Sequence, residues 1–397
     1  MTKPTRRQTF TKGLYLFLIA ALVVETAPVV GPTPARASRH YPRLHHFELL
    51  HLLRAPHPFD SRNYYTGTLS KSMAVQMELA ISSGSISGIY YYEKIGEPLE
   101  LKGNISQNGK STIDEIDEKG QKTGTFRGRF ATSQQTFEGT WSSADKKKSF
   151  PFKLTRVAEY VFLRAKNERC WSIGYDTGVK EEGPCSLHFE YPRFLSASPG
   201  FHQVNTIIKK RIMDEYNDFI SRIRENDQEK NGKEKGREWY NGYTYSIVYY
   251  AEDLVSVLVT QDEYAGGARS HTAYEAANFW VKGGKATSLN LADLFLPRAA
   301  YIEVLSAYCI NDLREREASW VVRGDILRFT EADLRVFSIS PRGIDFSFAP
   351  YAVGSGVEGS YFVNAPYKVL TKIIHPEGPL KRFVALTPAS DRTQRAR

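Results

Sequence analysis

Between Gln261 and Thr272 the chain reads QDEYAGGARSHT, and several side chains able to do chemistry meet there. Gly266 and Gly267 let a backbone turn through positive φ and aim N–H groups at an anion. Arg269 adds a planar fork that pairs bidentately with a carboxylate, such as that of a peptide or an acidic protein loop. His271 follows two residues later. Asp262 and Glu263 precede the turn, and opposed carboxylates are the pair that hydrolyses glycosides. Neighbours on a strand point to opposite faces, however, so these two do not make such a pair. Ser270 and His271 are adjacent, yet no G-x-S-x-G elbow frames a nucleophile. Asp293, in LADLF, reads as a helix cap. The residues assigned to ligand binding are therefore Gly266, Gly267, Arg269 and His271, and no catalytic residue is assigned.

A second recognition surface is suggested by GSISGIYYYEKIG. Strand alternation puts Tyr90 and Tyr92 on one side and Tyr91 on the other. A tyrosine exposed on a sheet stacks sugars or binds protein at low entropic cost, and Tyr91 is the candidate. Five of the nine histidines fall in SRHYPRLHHFELLHLLRAPHPFD, at positions 40, 45, 46, 51 and 57. No carboxylate–histidine set completes a metal geometry there. Residues 38–60 read as a linker or arm, and no metal or cofactor is implied.

The elements that must hold these residues follow from periodicity. Residues 61–156 alternate with period two and turn about every ten residues, which predicts an antiparallel meander. Asn108-Gly109 marks a tight turn. Such a meander must bury one face, by curling into a small barrel or by packing on a neighbour. From Val204 the period changes: Val204, Ile207, Ile208, Ile212, Tyr216, Phe219, Ile220 and Ile223 predict a long amphipathic helix. YTYSIVYY and LVSVLVTQDEY then read as adjacent strands, IEVLSAYCINDL as a helix, and the segments around Pro341-Arg342-Gly343 as two more strands. The fold class is α+β: an antiparallel β module over 61–156, then a mixed α+β domain over 157–375. Residues 376–397 read as a polar, frayed tail.

The N-terminus reads as an export signal. MTKPTRRQTFTK is a basic lead, residues 13–23 are an apolar run, and Ala35-Arg36-Ala37 offers an A-x-A cleavage site. The run is shorter than the roughly 20 residues of a membrane span. The net charge is +9, and the segment 1–37 holds five bases against Glu25. The remaining surplus is too mild for nucleic acid. In an oxidising compartment Cys170 and Cys185 are placed to pair as a disulfide. Cys309, on an apolar helical stripe, reads as a buried free thiol.

The C-terminal half resembles the DUF3298 family, with a preceding DUF4163-like segment, as in RsiV-like and PdaC-like proteins. The resemblance covers about residues 183–375. It rests on CSLHFEYPRF, then VNTIIKKRIMDEYNDF with Asn205, then SIVYYAEDLVSVLVTQDEYAGGARSHT. ANFWVKGGKATSLNLADLF, GIDFSFAPYAVGSGVEG and FVNAPYKVL follow in the same order. Arg269 stands where the family usually has His, Trp280 where it has Asp, and Gly283 where it has Thr. The resemblance implies a compact α+β domain outside the cytoplasmic membrane. In RsiV-like proteins the region is similar to a sensor that binds lysozyme. In PdaC-like proteins it accompanies a separate polysaccharide deacetylase domain. The expectation is a periplasmic or secreted envelope protein with a noncatalytic binding or structural role. Its partner would be cell-wall glycan or peptide, or an extracellular protein such as lysozyme, with no stable membrane span once the signal is removed. The alternative is an envelope hydrolase acting on wall glycan or peptide.

Overall fold

The computed structural model describes residues 59–163, 169–173, 180–228, 239–264 and 270–384. Side chains are not described for 169–173, 180–186, 223–228 and 239. The export signal, the histidine-rich arm before Phe59 and the Gly266, Gly267 and Arg269 turn all lie outside the described residues.

The first eight strands follow one another as hairpins: β1 (Ser61–Leu69), β2 (Met73–Ser82), β3 (Ser85–Tyr92), β4 (Leu99–Ile105), β5 (Lys110–Ile116), β6 (Lys122–Phe130), β7 (Thr136–Ser143) and β8 (Ser149–Leu163). β8 returns to pair antiparallel with β1, from Leu69↔Phe152 to Asn63↔Glu159. The meander therefore closes into a barrel, which removes its free edges. Alternate residues Val75, Met77, Leu79 and Ile81 point inward with Tyr90, Phe126, Phe130, Phe137 and Phe152. Phe130 and Phe137 stack at 4.1 Å between ring centroids. Gly109 adopts φ +82, the conformation that the Asn108-Gly109 turn requires.

β8 does not stop where the barrel does. Its second half pairs with β10 (Lys180–Phe194), so the boundary read after Arg156 falls within one continuous strand. β9 (Arg169–Ile173) pairs on β10, setting Cys170 opposite Gly183. The Cys170 and Cys185 side chains lie outside the described set. β10 runs parallel to β11 (Trp239–Ala251), and the crossover between them is α1 (Pro199–Gln228). β12 (Leu254–Tyr264), β13 (His271–Lys282) and β14 (Lys285–Ser288) complete the sheet antiparallel.

The sheet buries both faces. Val255, Val257 and Val259 join Phe201, Val204, Ile208 and Ile212 of α1. The Asn205 side chain reads the Phe194 backbone, accepting from its N–H and donating to its carbonyl, both at 2.8 Å. On the other face Leu254 joins α2 (Tyr301–Glu315) and a three-stranded sheet of β15 (Phe337–Ile339), β16 (Gly343–Phe348) and β17 (Tyr361–Pro366). Ser256 Oγ accepts from the Ile339 N–H, and Asn278 Nδ2 donates to the Phe337 carbonyl. Cys309 is a buried free thiol on α2, and burial pushes its pKa up. The mostly-strand architecture fits the α+β expectation.

The tail departs from expectation. Leu380 and Phe383 are buried, and Phe383 packs against Tyr249 and Tyr367 at 5.0 Å. These two apolar side chains, three residues apart, seat residues 380–384 that composition alone marks as frayed. No helix among the described residues is long and apolar enough to cross a membrane.

Candidate functional site

Of the residues singled out in the sequence, the structure brings Asp262, Glu263 and His271 to one hairpin end. Glu263 faces His271 in register, and Asp262 faces Thr272. The Thr272 hydroxyl donates to Asp262 at 2.6 Å, while Glu263 lies 3.8 Å from the Arg222 guanidinium. Adjacent residues take opposite faces, so the two carboxylates do not converge. His271 is exposed. Asp293 accepts from the Asn290 N–H at 2.7 Å and caps a short turn.

Tyr91 is not on an open face. Barrel closure turns the outer face of β1–β3 against β11, and Tyr91 is buried there. Its hydroxyl lies within hydrogen-bond distance of Gln76 Oε1 and of the Val248 carbonyl. Gln76 itself receives the Tyr250 N–H and donates to the Tyr250 carbonyl. An amide side chain thus stands in for a strand at the barrel–sheet seam. Tyr91 lines a small cavity of about 60 Å³ at this seam with Tyr64, Ile89, Val248 and Leu258, a space of a few waters' size.

A cleft of about 570 Å³ opens on the second domain, within the range of small-ligand sites. Its elements are the start of β13, the segment after the helical turn α3 (Ser319–Val322), the turn before β15 and the end of β16. Gly324 takes φ +84, letting the chain leave α3 sharply. The Phe329 N–H then donates to Ser306 Oγ of α2 at 2.7 Å, fixing the segment that carries Ile326, Leu327 and Arg328. Phe329 and Phe348 stack at 5.1 Å and form the apolar floor. Thr330 donates to Asp333 through its N–H and its hydroxyl, at 2.8 and 2.6 Å. Asp325 holds Arg323 at 2.8 Å. Arg335 donates to the Ala332 carbonyl at 3.0 Å. Arg328 is exposed, and among the described residues its guanidinium has no hydrogen bond or ion pair. Both aspartates of the cleft are thus engaged, while the arginines keep N–H groups for a ligand. The cleft can hold an anion beside apolar surface.

The sequence reading placed a strand before Pro341-Arg342-Gly343, which β15 matches, and singled out no residue between 324 and 336. The usable signal was Gly324-Asp325, a turn, followed by arginines set between apolar residues at 328 and 335.

The neighbouring rim is tied by Glu358. Its carboxylate accepts from the N–H and hydroxyl of both Ser319 and Ser355, and from the Tyr361 hydroxyl. Burial alone would raise its pKa; the serine hydrogen bonds outweigh burial and hold it down to about 2. A carboxyl depressed in the folded state stabilises above its unfolded pKa, and that stability is lost as pH falls through the folded value. Wild-type protein is therefore expected to lose stability between about pH 4.5 and pH 2, and Glu358→Gln to show a smaller loss over that window. Melting temperature against pH for the two proteins checks this; parallel curves would refute it.

Comparison with known proteins divides the second domain. Residues 292–368 match the family model of DUF3298, a protein of unknown function. The cleft segments from Gly324 to Ala352 lie inside that match. Residues 179–272 match the model described as deacetylase PdaC, where the sequence suggested a DUF4163-like segment. The barrel precedes both. Peptidoglycan-N-acetylmuramic acid deacetylase PdaC of Bacillus subtilis is 24% identical over 187 residues, or 46% of this chain. The match spans only 38% of that relative's length. A DUF3298 family structure from Bacteroides fragilis is 16% identical, covers 58% of this chain and 98% of its own, and has a TM-score of 0.34. One from Pseudomonas aeruginosa is 13% identical, covers 55% of this chain and 94% of its own, and has a TM-score of 0.35. Among the described residues no three His, Cys, Asp or Glu side chains group as metal ligands.

Proposed function

We propose that this chain is an exported bacterial envelope protein, periplasmic or secreted, that binds cell-wall material without transforming it. The observation that carries the reading is the cleft, which presents arginine N–H groups over an apolar floor while its two aspartates are bonded to neighbours. That arrangement suits holding an anionic ligand better than acid–base turnover. The PdaC and DUF3298 matches support an envelope setting, and the name of the curated relative points to peptidoglycan. The export signal and the DUF4163-like character of the segment before DUF3298 belong to the same reading. So does pairing of Cys170 with Cys185, in an oxidising compartment. A hydrolase or deacetylase acting on wall glycan or peptide is the alternative, favoured by the names of the matching family model and of the relative.

Purified full-length protein mixed with intact wall sacculi tests this. Retention is expected at low salt and should fall at high salt, because exposed charges are screened beyond about 10 Å at 0.1 M salt. No retention at either salt, or release of sugar, peptide or acetate with multiple turnovers, would overturn the binding reading.

A further inference from the structure

The geometry points to a more specific ligand for the cleft, and this inference rests on the envelope-binding reading above: we propose that it takes the free carboxylate end of a short peptide bearing small aliphatic side chains. Arg328 and Arg335 line the cleft from two different segments. A guanidinium presents a planar fork that fits a carboxylate bidentately. The acidic side chains that could compete are occupied, Asp333 by Thr330 and Asp325 by Arg323. The arginines stand beside Ile326, Leu327, Phe329 and Phe348 rather than in a polar basin. Leu327 is 75% exposed, a large apolar side chain left in water at the mouth. A polyphosphate has nothing to place on that shelf. A peptide end places its carboxylate on the arginines and its methyl groups on Leu327 and the half-buried Ile326. Sugar recognition would call for an open aromatic face, whereas Phe329 and Phe348 are buried.

The test is ligand-observed NMR titration of the full-length protein with N-acetyl-alanyl-alanine and with the same dipeptide as its C-terminal amide. The acid is expected to bind at least about tenfold more tightly than the amide, since a charge-assisted pair is lost. Arg328→Met and Arg335→Met keep the aliphatic stem, and each is expected to weaken the acid about three- to tenfold. Arg129→Met, which removes an exposed guanidinium of barrel strand β6 outside the cleft, should leave binding within about twofold. Unchanged thermal melting of the three variants confirms that they fold. Equal affinity for acid and amide, no binding of either, or indifference to Arg328→Met and Arg335→Met would overturn the inference. So would glycerol phosphate displacing the acid at equal concentration. Sacculus retention without dipeptide binding leaves the envelope reading standing and removes this ligand. Dipeptide binding without sacculus retention does the reverse.

Discussion

Arg62→Ala is expected to destabilise the protein by about 3–5 kcal/mol, because it strands two carboxylates in the interior. Arg62 leaves β1 on the outer face of the barrel and is only 5% exposed. Its Nε donates to Glu78 Oε1 of β2 at 2.7 Å, and its Nη1 reaches Glu190 of β10. Its guanidinium lies over the Tyr160 ring, 4.0 Å from the centroid. The Tyr160 hydroxyl donates to Glu78 Oε2 at 2.8 Å. Burial works against the arginine's charge, but Glu78 and Tyr160 together more than offset it, and the pKa is held above its ordinary value. Removing the cation leaves Glu78 with one neutral donor and leaves Glu190 near the His188 imidazole at 3.7 Å. Those carboxylates must then bind protons or draw water into the seam. The triple variant Arg62→Met, Glu78→Leu, Glu190→Leu should recover most of the loss, since the desolvation cost disappears with the charges. Urea unfolding of wild type, Arg62→Ala and the triple variant measures both steps. A loss under about 1 kcal/mol for Arg62→Ala would mean that the seam is open to water.

This network also marks where the sequence stops being legible. Strand alternation, Asn108-Gly109 and the apolar spacing of α1 announce local elements, because each encodes which face a residue buries. They do not encode which distant strand completes a sheet. The β1–β8 pairing joins residues some ninety positions apart, and only that closure makes the outer face of β1–β3 an interior. Arg62, Gln76, Glu78 and Tyr91 have ordinary solvent-face spacing in the sequence, which is why alternation alone presents Tyr91 as an exposed platform. The structure seals all four against β10 and β11. The cleft was hidden for a different reason. Phe329, Leu334 and Phe337 are five and three residues apart and fit no single strand face, and Gly324 with the Thr330–Asp333 turn leaves Arg328 and Arg335 exposed. The helix cap at Asp293 and the buried thiol of Cys309 were legible because both depend on neighbours within a few residues.

The second large effect is expected at Glu115, and the same reasoning about faces governs it. In TIDEI, alternation puts Glu115 on the side of Ile113, inside the barrel, where it is 4% exposed. Three neutral donors meet its carboxylate: the Tyr90 hydroxyl, Thr123 Oγ1 at 2.5 Å and Trp141 Nε1 at 2.9 Å. Thr123 can reach it because the β5–β6 register slips between Glu115 and Ile116, the irregularity that re-aims a side chain. Burial first, and then the Glu115 charge, hold the Tyr90 hydroxyl protonated by raising its pKa well above 10.0. Glu115→Leu fills the space but leaves Trp141 Nε1 without its acceptor and leaves the Tyr90 and Thr123 hydroxyls only longer bonds, to Tyr92 at 3.2 Å and to the residue-115 carbonyl at 3.4 Å; a buried donor that loses its acceptor costs about 1–3 kcal/mol. The added apolar contact returns about 1–2 kcal/mol. A net loss of about 3 kcal/mol is expected, against about 1 kcal/mol for Ile113→Val beside it. Glu115→Gln should fall between them, because its carbonyl still accepts while its amide nitrogen meets donors. Urea unfolding of the three variants gives the order. If Glu115→Leu matches wild type, the Trp141 and Tyr90 donors find water, and the barrel end around Glu115 is a wet opening rather than a packed end.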